Sequence, residues 1–135
     1  MIVLDCNAAF TIAMNREDGK ALEALMLEGE RIIAPQLLVA ELASTARKYV
    51  RGNVLSYEQA LEAIRDTMRY IDEFVPAKAY CEEVFSEAIR LNHSAYDMFY
   101  FVLARRTAST LFTFDKGLQA LCHDNGVDCI GVERI

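Results

Sequence analysis

The sequence predicts an α/β fold, a three-layer sandwich built around a mostly parallel five-stranded sheet. Two apolar runs, Met1-Ile2-Val3-Leu4 and Thr110-Leu111-Phe112-Thr113-Phe114, each lead directly into an aspartate, Asp5 and Asp115. Inner strands of a parallel sheet are buried on both faces and so are apolar without alternation, which suits these two runs to central positions. Strand-like runs also alternate with stretches of helical periodicity along the chain, as crossover connections require. In open sheets of this kind the ligand site lies at the carboxyl ends of the strands, and both aspartates fall there.

A chain of 135 residues can form one domain, residues 1–135, with a sizeable core. No apolar run approaches the length of a membrane span, and residues 1–30 lack the basic and apolar regions of a signal peptide. Met1 opens the first strand with no room for a targeting extension, so a cytoplasmic location without a membrane partner is expected. Cys6, Cys81, Cys122 and Cys129 form no Cys-x-x-Cys pair and read as small buried hydrophobes, not a disulfide framework. His93 and His123 have no partner at zinc spacing. A net charge of −6 argues against holding nucleic acid by bulk positive charge. It leaves room for an enzyme whose acids are neutralised by metal ions, and it suits a basic protein partner.

The elements follow in order. Residues 8–14 read as a short buried helix ending near Asn15, and Asp18-Gly19 opens a second with Leu22, Leu25 and Met26 on one face and Gly29 as its stop. Residues 31–34 form a strand that Pro35 closes, and a helix follows over 36–50 with Leu38, Leu42, Thr45 and Tyr49 inward. Ser56 and Gln59 make a capping box for the next helix, whose apolar stripe is Leu61, Ile64, Met68 and Ile71. A short edge strand at 71–75 stops at Pro76; a helix over 77–91 turns Val84, Phe85, Ala88 and Leu91 inward. Ser94 caps a helix to about Arg106, strand four is 110–114, a helix spans 115–123, and a last strand takes 128–132.

Four acids stand out. Asp97 lies in a segment that is apolar on every side, where a charge must be paired or bind a metal; alternatively, Ser94-x-x-Asp97 is a capping box. Asp5 and Asp115 each precede a helix and each could be no more than an N-cap. Glu41, taken alone, reads as a solvated mid-helix residue. Taken together, four carboxylates converging on the sheet's carboxyl edge would repel one another unless a cation sat between them. Oxygen ligands select hard ions, Mg²⁺ or Mn²⁺, which also grip phosphates and equip a site to hydrolyse a phosphodiester.

The order of these residues, Asp5 after the first strand, Glu41 in the helix after the second, Asp97 opening an apolar helix and Asp115 in Thr-x-Asp, resembles the PIN-domain ribonucleases over essentially the whole chain. The length and short N-terminus are similar to VapC-type toxins. That resemblance implies the sheet order 3-2-1-4-5, Mg²⁺ or Mn²⁺ held by Asp5, Glu41, Asp97 and Asp115 as catalytic residues, and RNA cleavage leaving a 5′ phosphate. It also implies a homodimer and a cognate antitoxin. Asn7 stands where the family often has serine or threonine, and with Thr113 and Lys116 it is expected to bind substrate. Arg47, Lys48 and Arg51 could touch RNA phosphates but fit better as a cationic helix end, as do Arg105 and Arg106. A phosphoacceptor domain is disfavoured because Val75-Pro76 ends the third strand without an acceptor aspartate, and a dehalogenase-like phosphatase because Asp5-x-Asn7 lacks its second aspartate. The remaining rival is a catalytically silent PIN-like binding module.

Overall fold

A computed structural model describes residues 1–26 and 28–131. Five strands, β1 (Ile2–Leu4), β2 (Ile32–Pro35), β3 (Glu73–Val75), β4 (Thr110–Phe112) and β5 (Cys129–Ile130), form one parallel sheet in the order β3-β2-β1-β4-β5. The helices are α1 (Cys6–Ala13), α2 (Glu17–Glu23), α3 (Leu37–Arg51), α4 (Tyr57–Tyr70), α5 (Cys81–Leu91), α6 (Ala95–Thr107) and α7 (Lys116–Asp124). The expected α/β architecture, strand order and central β1 and β4 are all present. Val132, the end of the expected last strand, lies outside the described residues.

The chain winds outward from β1 through β2 to the edge strand β3, then returns past β1 to β4 and β5. Because parallel crossovers are right-handed, reversing the winding direction sends the connecting helices to the other face of the sheet. Accordingly α1 packs with α2, α3 and α4, whereas α6 packs with α5 and α7 and lies across β1, β2 and β4. The reversal falls between β1 and β4, whose register pairs Leu4 with Phe112. Their carboxyl ends therefore open side by side.

Burial explains the composition of these elements. β1 and β2 are buried along their whole length, as their uninterrupted apolar sequence requires. In α6, Met98 and the run from Tyr100 to Ala104 are all buried, because this helix is covered by the sheet on one side and by α5 and α7 on the others. The Ser56–Gln59 capping box forms in both directions. Ser94 occupies the N-cap of α6, but its side chain makes no capping bond.

Some expectations give way. The 77–91 helix is a 3-10 turn at Ala77–Ala79 followed by α5. Phe85 does not point inward but is 68% exposed, because α5 turns Val84 and Glu87 to α6 instead. Met68 and Leu25 are likewise exposed. Arg105 and Arg106 are more than a helix ending. Arg105 bonds Glu83 at 2.8 Å and Glu87 at 2.9 Å, and Arg106 bonds Glu83 at 2.5 Å, so both lock α6 to α5. Of the cysteines, Cys6 and Cys122 are buried, Cys129 is half-buried and Cys81 is exposed; all are free thiols. Among the described residues no helix is long and apolar enough to cross a membrane.

Candidate active site

Asp5 follows β1 directly and caps α1, its Oδ1 accepting from the Ala8 amide at 2.8 Å. Its Oδ2 accepts from the Thr113 hydroxyl, one residue beyond β4. The in-register pairing of β1 with β4 brings these two residues together across the sheet. Thr113 Oγ1 also accepts from the Asp115 amide at 3.0 Å, so one buried hydroxyl ties both strand ends. Burial pushes the Asp5 carboxyl up to about 6; the Thr113 and Ala8 hydrogen bonds oppose this, and the charges of Asp97 and Asp115 reinforce it.

Asp115 caps α7 through Oδ1, which accepts from Leu118 N at 2.9 Å. Asp5 and Asp115 are thus N-caps as well as edge carboxylates, and the two readings coexist in one geometry. Asp97 differs. Its Oδ2 lies 2.9 Å from Nε2 of His93, one turn back, so the imidazole engages the carboxylate that a capping box would have turned to the Ser94 amide.

Glu41 projects from the second turn of α3 and is half-buried, not solvated. The Tyr100 hydroxyl, on α6, donates to its Oε1 at 2.5 Å. Burial raises the Glu41 carboxyl above its usual range, the Tyr100 bond lowers it, and the charge of Asp97 raises it. Burial likewise pushes the neighbouring Cys6 thiol up to about 12, with its hydrogen bond to Thr45 opposing and the charges of Glu41 and Asp5 reinforcing the rise.

Asp5 therefore feels the charges of Asp97 and Asp115, and Glu41 that of Asp97, around the β1/β4 reversal, each acid being held by a different protein partner. Among the described residues, no three His, Cys, Asp or Glu side chains stand at metal-ligating spacing as they are placed. The chemistry of the set nevertheless fits a hard divalent cation. It is all oxygen, and burial and like charge push two of its members above the usual carboxylate range, a penalty that a cation would relieve. Asn7 is exposed on the first turn of α1, and Lys116 is exposed beside Asp115. Thr113 is fully buried, so its hydroxyl serves Asp5. Arg47, Lys48 and Arg51 lie toward the far end of α3.

Two residues of the constellation escaped the sequence reading, Tyr100 and His93. Both were within reach of a positional argument, because Tyr100 stands one turn after Asp97 on α6 and His93 four residues before it, just outside the helix.

A carboxylate cluster at the reversal point of a doubly wound parallel sheet defines a class of α/β proteins with acid-built sites. The chain belongs to one family of that class: the PIN domain family model matches residues 2–124. Among similar curated proteins are a VapC ribonuclease of Mycobacterium bovis and Ribonuclease VapC9 of Mycobacterium tuberculosis. Each is 32% identical over 126 residues, covering 90% of this chain and 94% of the relative. Solved structures share the fold. PAE2754 from Pyrobaculum aerophilum has a TM-score of 0.67 at 20% identity, covering 88% of this chain and 82% of that one. VapBC2 from Rickettsia felis, crystallised with a DNA fragment from its promoter, has a TM-score of 0.68 at 15% identity, covering 97% of this chain and 98% of that one.

Proposed function

We propose that this protein is a metal-dependent endoribonuclease and the toxin of a toxin–antitoxin pair, acting as a single domain in the cytoplasm. The observation that carries the reading is that Asp5, beside β1, feels the charges of Asp97 and Asp115, and Glu41 that of Asp97, with Asp5 and Glu41 pushed up chiefly by burial. The ribonucleases named above support RNA as the substrate.

In this reading the four acids hold Mg²⁺ or Mn²⁺. When bound, the cation supplies charge neutralisation and stabilises negative charge on the scissile phosphate. Asp5 is fixed by Thr113 and Ala8, so Thr113 takes a positioning role in place of direct substrate contact. Glu41 is aimed by Tyr100. Exposed Asn7 and Lys116 flank the carboxylates from α1 and α7 and contact the RNA backbone. Ionised carboxylates orient the attacking water and receive its proton, a general-base role that suits a group whose pKa is raised toward neutrality.

An antitoxin partner is supported by the VapBC2 neighbour and by the net charge of −6, which favours a basic segment over the site. A homodimer is supported by Phe85 and Ile89, one turn apart on α5 and both largely exposed.

Incubating the purified protein with RNA in Mg²⁺, Mn²⁺ or EDTA tests the reading. Cleavage with metal alone, lost in Asp97→Asn while the fold is retained, is expected. Cleavage by that variant at the native rate would refute the site. A folded native protein that leaves RNA intact in either metal would favour the silent binding module.

A further inference from the structure

From the hydrogen bond and the position of its ring, we infer that His93 is a positioning residue that holds the Asp97 carboxylate for cation binding. This rests on the cation site proposed above.

The backbone places His93 with care. Asn92 adopts the left-handed conformation at the end of α5 (φ 49°, ψ 53°), its amide bonds Ile89 O and the His93 amide bonds Ala88 O at 3.1 Å. This paired closure of a helix end fixes the direction in which the chain leaves it. His93 therefore stands immediately before α6, with its ring over the first turn and Nε2 2.9 Å from Asp97 Oδ2. In the tautomer that carries its proton on Nε2, His93 donates this bond and the carboxylate oxygen accepts it.

The ring also faces the other acid-bearing helix. A Cβ built on Gly117 would lie 3.9 Å from His93 Cε1 and 3.2 Å from Asp115 Oδ1, so imidazole and carboxylate flank the same point at the start of α7. The imidazole thus bonds Asp97 through Nε2 while its Cε1 edge stands near the start of α7.

The need for such a donor follows from the other three acids. Asp5 is held by Thr113 and Ala8, Glu41 by Tyr100 and Asp115 by Leu118. Asp97 is half-exposed and Ser94 caps nothing, so without His93 it would lose the donor that orients it. Partners that orient a metal's carboxylate ligands commonly contribute 10–100-fold in affinity.

Calorimetric titration of the native protein, His93→Gln and His93→Phe with Mn²⁺ under identical conditions tests the role. Gln carries an amide N–H about where the Nε2–H lies, whereas Phe keeps a ring without a donor. The expected result is near-native Mn²⁺ affinity in His93→Gln and a loss of about 10–100-fold in His93→Phe. Melting in EDTA checks that both fold, and His93→Leu replaces the Phe variant if it does not. Equal affinity in all three proteins would overturn the role of His93 alone. An equal loss in both variants would overturn its donor role. Failure of the native protein to bind Mn²⁺ would overturn the cation site and this inference with it.

Discussion

The Tyr100 hydroxyl donates to Glu41 Oε1 at 2.5 Å, joining helices on the two faces of the sheet across 59 residues of sequence. Burial and like charge work to protonate Glu41, and this hydrogen bond works to keep it ionised. Tyr100→Phe should therefore raise the Glu41 pKa further and cost about 1–2 kcal/mol, since a charge-assisted bond at a half-buried site is lost while the ring stays packed. Urea denaturation measures the cost. In a double-mutant cycle, Glu41→Gln should absorb most of it, and strict additivity would mean that the bond contributes nothing.

Asp5 makes the stability of the cation-free protein fall toward neutral pH. Burial pushes its carboxyl up to about 6 from an ordinary value of 3.8, so between these values the folded protein binds more protons than the unfolded chain. This contribution is complete below the lower value and is lost as the pH rises through the upper one. Glu41 acts in the same direction. Glu87, held at about 2 by Arg90 and Arg105, acts oppositely below its ordinary value of 4.5. Melting temperature in EDTA should peak between about pH 4 and 5 and decline toward pH 7, and Asp5→Asn should flatten the decline. A steady rise to pH 7 would contradict the burial of an ionisable Asp5.

Asp97 raises both Asp5 and Glu41 by its charge, so neutralising it should relieve the cluster. Asp97→Asn keeps an oxygen for His93 and should melt higher than the native protein in EDTA at pH 7. A cation at ten times its dissociation constant adds about 1.4 kcal/mol to the native protein, or roughly 4 °C, and this shift should shrink in the variant. Glu58→Gln, on the exposed first turn of α4, should change neither quantity. Thermal melts of the three proteins with and without Mn²⁺ decide the matter, and an undiminished shift in Asp97→Asn would remove Asp97 from the site.

Gly131 tests the support behind Asp5. A Cβ there would overlap the Thr113 carbonyl oxygen and the Gln119 amide that bonds it at 2.8 Å. The carbonyl is backbone and cannot step aside. Gly131→Ala should thus destabilise by about 1–3 kcal/mol and displace the hydroxyl that holds Asp5. Denaturation together with the pH dependence of melting reports both effects. A loss below about 0.5 kcal/mol, the scale of an ordinary surface change, would show that the strand end adjusts freely.

By itself the sequence determined the fold class, the central place of β1 and β4, and the edge place of β3. These follow from burial on two faces against burial on one, which writes itself into local apolar pattern. Asp5 and Asp115 were legible for the same reason, since each is the first acid past a buried strand. Only the tertiary structure decided what holds each acid. The partners of Asp5 and Glu41 come from β4 and α6, distant in sequence, and whether they meet depends on strand register and helix crossing. The outward turn of Phe85 and the capture of Glu83 and Glu87 by Arg105 were hidden likewise, because the face a helix buries is chosen by its neighbours when both faces carry apolar residues.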